Sequence, residues 1–536
     1  MLNTPIATVP ATEDRIDSVA MQDVAHVINE KQCTRSVPLF HENANTDSEE
    51  DGPPNGGYAW ICTICVFLIN AHTWGVNSTW GVILDYFLEH ESFPNAKPLE
   101  YALIGGLSLA QSMMISPVAG ISREHLGTRS TLLIGTIVVS ASLFASAYAT
   151  KLWHLFLSQG VCYGWGMGFL YITATTVLPN WFSTHRSLAV GLATSGAGLG
   201  GLAYNLIAER TIQTLGVAWT YRIVAICTLV ANTFSSFFLR DRTQRVTKKP
   251  APETETPGPL PRPQPAQQPQ LSQQPQPQPA RPSKEKPARS RLLGNFDLRA
   301  LRRIEVLLVI FWGVTTELGY IALYYSLPNY ASSIGLSPSQ GAAANALLNL
   351  GLALGRPVVG YYSDALGRIN MSTLMTLFCG VVCLALWIPA RGFPALAAFA
   401  ALAGTACGTF WGTVAPVLAE VVGIEGMAGV FGLVCFAMVL PTMFAEPIAM
   451  HLVGEAGEHA GVRRYLAAQL FVGVAYLAGA VSLLLLRAWK IGEIERQEEL
   501  VQRAEGPLNT RLKFAVPRRA ENSWTTLRRV FLPKKV

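Results

Sequence analysis

The sequence predicts an all-α integral membrane protein with twelve transmembrane helices in two six-helix halves. Three observations carry that expectation. Charged residues make up 14% of the 536-residue chain and hydrophobic ones 50%, whereas a soluble domain is about a quarter charged. Stretches of the roughly 20 mostly apolar residues that cross a hydrocarbon core as a helix recur in two groups, with a polar segment between them. Two short stretches, one at the same place in each group, also align without gaps, with identities at Pro, Val, Gly, Leu and Gly.

In chain order, residues 1-57 are polar and mixed in charge, and hold no apolar core of the kind a signal peptide needs. They are expected to form an uncleaved, disordered tail. The first half, 58-239, carries spans at Tyr58 to Val82, Leu99 to Ile121, Ser130 to Ala149, Leu152 to Leu178, Ser187 to Ala208 and Trp219 to Leu239. Residues 240-303 follow, and their middle, "PGPLPRPQPAQQPQLSQQPQPQPARP", is almost entirely Pro, Gln, Ala and Arg. That composition has too little apolar surface to offset ordering entropy, so a disordered, partly polyproline-II linker is expected; docking by a partner that recognises Pro-rich peptides is a second reading. The second half, 304-486, carries spans at Ile304 to Tyr330, Gln340 to Tyr362, Met371 to Pro389, Phe393 to Ala419, Met427 to Leu452 and Tyr465 to Leu486. Each span reads as a helix because a backbone facing lipid must satisfy its own N–H and C=O groups. The tail, 487-536, ends in "RRAENSWTTLRRVFLPKKV", a basic amphipathic stretch suited to an anionic lipid surface.

Basic residues set the expected orientation. From Arg240 to Arg303 there are 14 Lys or Arg against 5 acidic residues, and from Arg487 onward 12 against 6. An even number of spans puts both segments and the amino terminus on one side, expected to be the cytoplasm of a multi-pass cell-membrane protein. The loop from Leu84 to Pro98 holds Lys97 alone, while Arg463 and Arg464 depart from the rule. The net charge of +6 comes mainly from the cytoplasmic segments, which suits anionic lipid and gives no reason to infer nucleic-acid binding. Eight of the nine cysteines fall on spans, where they read as packing residues. Cys62-x-x-Cys65 lacks the second pair that a metal site would need.

The repeated string is "PVAGISREHLG", Pro117 to Gly127, and "PVVGYYSDALG", Pro357 to Gly367, aligned without gaps at an offset of 240 residues. Both copies lie where the second helix of a half meets the short turn to the third, so duplication of a six-helix unit explains them. The turn resembles the loop signature of the major facilitator superfamily, Gly-x-x-x-Asp-x-x-Gly-Arg. Gly360, Asp364, Gly367 and Arg368 satisfy it in the second half; in the first, Gly120 and Gly127 remain, Glu124 replaces the Asp and Thr128 takes the Arg place. The resemblance implies two halves related by an axis along the membrane normal, substrate near the midplane, and a role for this cluster in holding one conformation of the rocking cycle. A turn without gating function is the alternative.

Two further motifs resemble signatures of the monocarboxylate porters, in particular their fungal branch. "NGGYAW" supplies Gly56, Gly57, Tyr58 and Trp60 at the mouth of the first span, with Asn55 where that family has an acid. "NWFSTHRSLAVG" supplies Trp181, Phe182, Arg186 and Gly191 at the mouth of the fifth. The glycines that follow, Gly196-x-Gly198-x-x-Gly201, spell a dinucleotide-binding fingerprint. Their position inside an apolar span removes the strand and exposed helix end that such a site requires, and leaves a smooth face for close helix approach.

Ionisable groups at membrane depth are costly and therefore candidates for function. Arg356, on the eighth span, matches the position where the family resemblance implies an Arg that meets the substrate carboxylate; a structural ion pair and a snorkelling cation are the alternatives. Glu317, on the seventh, reads either as a partner for Arg356 or as the carrier of a coupling proton. Glu446, on the eleventh, reads as a water-facing rim residue. Where proton-coupled members have an Asp one turn before the Arg, this chain has Leu352, and where they have a Lys on the first helix it has Asn77. Those departures put lactate-type proton symport in question and leave a larger, less acidic or neutral substrate open. Trp74, Asn77, Trp80, Tyr163, Trp165, Tyr320, Tyr324 and Asn349 are candidate pathway residues, with helix packing as the alternative. Arg356, Glu317, Asn77, Asn349 and Tyr320 are the expected substrate site.

The function expected is secondary active transport of a small organic acid or related metabolite by alternating access. Export of a fungal secondary metabolite, or a non-transporting nutrient receptor, are the alternatives. No ATP-binding loop, catalytic triad or metal-ligand cluster emerges from the sequence, so neither an enzyme nor a bound cofactor is expected, and proton coupling stays open. The partners expected are a small-molecule substrate and the lipid bilayer.

Overall fold

The computed structural model describes residues 55–90, 93, 96–241, 298–453, 462–505, 529, 530, 532 and 534. Most of both expected tails and the Pro/Gln-rich stretch lie outside the described residues. The described chain is a bundle of long helices: α1 (Tyr58–Leu84), α2 (Leu99–Met114 and Ser116–Leu126, bent by 43°), α3 (Thr128–Ser146), α4 (Leu152–Asn180), α5 (Arg186–Leu215) and α6 (Val217–Phe238) in the first half. The second half is α7 (Ile304–Ser333), α8 (Ser339–Leu366), α9 (Arg368–Trp387), α10 (Phe393–Ile424), α11 (Gly426–Leu452) and α12 (Leu466–Glu499).

Among the described residues ten helices are long and apolar enough to span a membrane, and the bent α2 makes an eleventh. The remaining one, α5, is 30 residues long; its glycines and alanines give it length without strong hydropathy. The repeat is visible in the backbone. Gly127 ends α2 and Gly367 ends α8, both with positive φ, 85° and 103°, a conformation that costs glycine nothing.

Continuity of α1 is broken around Thr73 and Ser78, between the helical stretches Tyr58–Ala71, Trp74–Asn77 and Trp80–Glu89. The break is compensated locally: the carbonyl of Thr73 accepts the Tyr163 hydroxyl of α4 at 2.8 Å, and Ser78 donates to the Gly75 carbonyl at 2.7 Å. Irregular backbone at membrane depth is tolerated where it is buried in protein or lines a cavity. Here it turns Trp74, Asn77 and Ser78 toward the centre of the bundle.

The two halves meet mainly where α5 packs on α8 and α2 on α11. The glycine face of α5 sets the first contact. A Cβ on Gly198 would lie 2.8 Å from the Asn349 carbonyl oxygen and 2.9 Å from the Ala353 nitrogen, while Gly191 faces the Arg356 carbonyl. Gly200 turns the other way, onto Ala71 and Gly75 of α1. On the second contact, Ser116 of α2 donates to the Gly432 carbonyl of α11 at 2.9 Å. An apolar cluster joining Met113, Ile115 and Tyr171 to Phe410, Trp411 and Phe431 closes the seam toward the face from which α6 ends and α7 begins, the linker side.

Because the atoms facing Gly198 are backbone, a larger residue there must hold α5 off α8. Gly198→Val is expected to disfavour the closed seam by roughly 1–3 kcal/mol, about five- to hundredfold in population. Thiol labelling of a cysteine placed at Ser187, applied from the linker side of oriented vesicles, should rise accordingly; unchanged labelling would remove the steric role assigned to this glycine.

Candidate functional site

At the centre of the seam lies a cavity lined from both halves by the broken stretch of α1 together with α2, α4, α5, α7, α8 and α10. Counted as room for the centres of water-sized molecules, its volume is about 80 Å³. One water needs about 10–15 Å³ on that scale, so several waters or one small molecule fit. Arg356, Glu317, Asn77, Asn349 and Tyr320 all line it.

Arg356 is buried, 6% exposed, and reaches the cavity past two glycines of α10. A Cβ on Gly408 would sit 2.8 Å from its Nη2 and 2.9 Å from its Nε, so a side chain there would displace the guanidinium. Its Nη1 donates to the Thr194 carbonyl of α5 at 2.6 Å, and its Nε is buried without a partner. Glu317 on α7 is 2% exposed and accepts from the Trp411 indole at 2.8 Å. Among the described residues no salt bridge joins Glu317 to Arg356. The cation and the carboxylate thus share one cavity, each held by a neutral group.

Three rings form one side of the cavity: Trp74 of α1, Tyr171 of α4 and Trp411 of α10, with centroids 5.3, 5.7 and 5.9 Å apart. The Trp74 indole nitrogen and the Tyr171 hydroxyl are buried without hydrogen-bond partners. Such groups are rare in folded proteins because each forfeits its hydration. Together with the Arg356 Nε they are unused donors on residues that line the cavity. Toward the other end, Asn349 donates to the Tyr324 hydroxyl at 3.4 Å, and Asn77 accepts from Ser108 at 2.9 Å.

Several expectations shift in place. Trp80 lies in the apolar core of the first half, Tyr163 serves the break in α1, and Trp165 is partly exposed and donates to Gln111 at 2.7 Å. Glu446 is buried at 8% exposure rather than on a water-facing rim, because α11 packs on α2 and α7 there. Tyr171, Thr194 and Trp411 line the cavity and were not singled out from the sequence; an aromatic or a threonine on an apolar helix carries no signal that separates lining from packing.

The repeated turns build two different structures. In the second half both carboxylate oxygens of Asp364 accept backbone N–H groups at the start of α5, Ser187 at 3.1 Å and Leu188 at 3.0 Å. A carboxylate on a helix N-terminus meets its unpaired donors and the positive end of its dipole, and this one does so across the seam. Arg368 lies 3.6 Å from Asp364 and 3.2 Å from Glu420, and donates to the Ser183 carbonyl. In the first half Glu124 is exposed. Its neighbour Arg123 forms the cluster instead, pairing with Asp241 at 2.6 Å and donating to Thr176 at 2.6 Å, while Thr128 donates to Asp241 at 2.8 Å.

The signature residues lace the linker-side ends of α1, α4, α5 and α6 together. Tyr58 donates to the Phe238 carbonyl at 2.6 Å, Trp181 to the Arg240 carbonyl at 2.9 Å, and Trp60 packs edge-on against Phe182. Arg186 is buried and donates to the Pro179 and Phe182 carbonyls. Asn55, standing where the family has an acid, accepts from the Ser183 and Thr184 backbone at 2.7 and 3.2 Å.

The sequence profile described as Major Facilitator Superfamily matches residues 59–390 and 314–535. The chain belongs to the major facilitator superfamily. This is a superfamily of membrane transporters, not enzymes, and the chain is a multi-pass transporter of it. It is 29% identical over 447 residues to "Probable transporter MCH2" of Saccharomyces cerevisiae, covering 82% of this chain and 85% of that one. It is 25% identical to the fujikurins efflux protein of Gibberella fujikuroi, over 82% and 84% of the two chains. Its fold is similar to that of the proton:xylose symporter XylE bound to 6-bromo-6-deoxy-D-glucose, with a TM-score of 0.58 at 12% identity, over 80% of this chain and 95% of that one.

The contact of Asp364 with α5 makes the linker-side closure of this transporter sensitive to one carboxylate. Hydrogen bonds to a charged group contribute roughly 1.5–3 kcal/mol. Asp364→Ala is therefore expected to raise linker-side labelling of a cysteine placed at Ala197, in the cavity, by about ten- to hundredfold. Labelling equal to that of the parent would show that the apolar cluster alone keeps this side shut.

Proposed function

We propose that this major facilitator moves a small organic acid by alternating access, binding the substrate carboxylate on Arg356, and that it carries a proton with each acid. The observation that carries the reading is the unspent guanidinium: a buried cation on the central cavity, with one nitrogen on a carbonyl, another without a partner, and no carboxylate paired to it among the described residues. A planar fork of N–H donors matches a carboxylate in geometry and charge.

Charge balance supports the proton. In the empty cavity Arg356 and an ionised Glu317 offset each other. Adding a substrate carboxylate leaves one negative charge in excess, which at an effective dielectric of about 20 costs several kcal/mol within a few ångströms. Protonation of Glu317 removes the excess, so the loaded carrier crosses the membrane without net charge. Glu317 thereby does from α7 what an acid on α8 does in the proton-coupled family members, where this chain has Leu352. The modest volume favours a small acid over a large one. The sided distribution of Lys and Arg supports a cytoplasmic linker side.

Export of a secondary metabolite is the second reading, supported by the likeness to the fujikurins efflux protein and by the Trp74, Tyr171 and Trp411 rings, which suit an unsaturated or aromatic body. The three unused donors are common to both readings.

In vesicles holding the purified protein, Arg356→Ala is expected to abolish uptake of labelled carboxylates, a loss of about a hundredfold, while membrane insertion is kept. Uptake at the parent rate would overturn the assignment of Arg356, and binding by the parent without flux or counterflow would favour a receptor. Glu317→Gln is expected to keep exchange of labelled for unlabelled acid but lose accumulation driven by an inward proton gradient. Accumulation with the parent's pH dependence would remove Glu317 as the proton site.

A further inference from the structure

The helix Leu466–Glu505 is 40 residues long. At 1.5 Å per residue that is about 60 Å, near twice the roughly 30 Å of hydrocarbon that a helix must cross. Its last turns therefore stand clear of the membrane on the linker side, and they carry Glu493, Glu495, Glu498 and Glu499. At the point of departure sits Arg487. Its Nε donates to the Asn370 side chain at 2.6 Å, and its two terminal nitrogens donate to four backbone carbonyls, those of Arg529 at 3.2 Å, Val530 at 2.5 Å, Leu532, and Lys534 at 3.4 Å. Asn370 also donates to the Lys534 carbonyl at 3.0 Å. An arginine directed onto successive carbonyls grips a strand of backbone, much as it would grip a carboxylate.

Side chains of the gripped segment complement the surface. Arg529 pairs with Glu495 at 3.0 Å and Lys534 with Glu498 at 3.3 Å, while Leu532, like Trp489 and Ile494, packs on the apolar cluster that includes Leu486 and Ile491. Gly492 leaves the space for Arg529: a Cβ there would lie 2.5 Å from its Nη1. The described residues of the tail, expected from sequence on the lipid surface, thus lie against this helix.

The same surface adjoins the seam. Asn370 lies two residues beyond Arg368 on α9, and Lys490 of α12 donates to the Glu420 carbonyl at 2.9 Å while Arg368 holds the Glu420 carboxylate at 3.2 Å. Arg368 in turn neighbours Asp364, which caps α5 in the opposite half. A segment carried on the same chain meets its site intramolecularly, so modest contacts suffice to hold it and modest changes to release it.

We propose that the acidic extension of α12 and the start of α9 form a docking site for the chain's own basic C-terminal end, and that docking braces the linker-side closure through Asn370, Arg368 and Asp364. The surface recognises a short basic segment by its backbone and its charge. This inference is independent of what the cavity carries.

The test uses the full chain in vesicles, on a background with native cysteines replaced, and reads labelling rather than transport. A cysteine at Leu532 reports docking, and one at Ala197, labelled from the linker side, reports closure. The parent is expected to protect the Leu532 position. Arg487→Ala, or Glu495→Arg with Glu498→Arg, should expose it and raise Ala197 labelling by roughly two- to thirtyfold. Adding Arg529→Glu and Lys534→Glu to the Glu495, Glu498 double variant should restore both. A chain truncated after Glu505 should regain closure when a peptide of residues 524–536 is added. Full exposure of Leu532→Cys in the parent would overturn the docking site. Release of the tail with Ala197 labelling unchanged, or failure of the peptide to lower labelling of the truncated chain, would overturn its bracing role.

Discussion

The structure depends on a guanidinium held at the middle of a seam that has to come apart. Burying Arg356 between two halves requires that backbones approach closely enough to exclude lipid and water around it, and glycine makes that approach on each side. Gly191 and Gly198 bring α5 against α8, and Gly408 opens α10 for the guanidinium itself. Partners are then chosen for weakness. A carbonyl and an indole hold the cation and the carboxylate in place, where a direct salt bridge at low dielectric would be hard to break once formed and would leave no reason to admit an anion.

The linker-side closure has the same character. Asp364 is strong as a cap only while the start of α5 is within hydrogen-bonding distance and the seam is dry; once water enters, its carboxylate and the freed N–H groups are solvated and little is lost. Surfaces that meet through glycine backbone, small residues and one charge–dipole contact slide apart without dragging interlocked side chains. Bulky packing across the seam is found in the cluster under the cavity that contains Tyr171, Trp411 and Phe431, and where Ile321 and Ala445 join the core of the first half.

Much of this was legible in the sequence where a residue breaks a local rule. Charge at membrane depth singled out Arg356 and Glu317, and an eleven-residue string repeated at Pro117 and Pro357 exposed the duplication. Periodic hydropathy marked the spans, including α5, whose glycine content lowers its hydropathy but not its helicity. What could not be read were contacts between residues of ordinary type. Nothing distinguishes Tyr171 and Trp411, which line the cavity, from Trp80, which packs in a core, until the helices are set side by side. Arg123 was hidden by its neighbour Glu124, which matched a motif position yet points to solvent.

That last difference has a structural cause in the duplication itself. The two copies of the turn now make different contacts. In the second half the acid kept its place, and Asp364 reaches across to α5. In the first, the Arg of the motif gave way to Thr128, the acid moved to the surface, and Arg123 with Thr128 turned inward to Asp241, just beyond the end of α6. One copy therefore joins the halves while the other makes its own half rigid and fixes the point where the linker departs. A rocking transporter needs both properties, a seam that opens and bodies that do not deform, and the divergence of a single repeated turn supplies one of each.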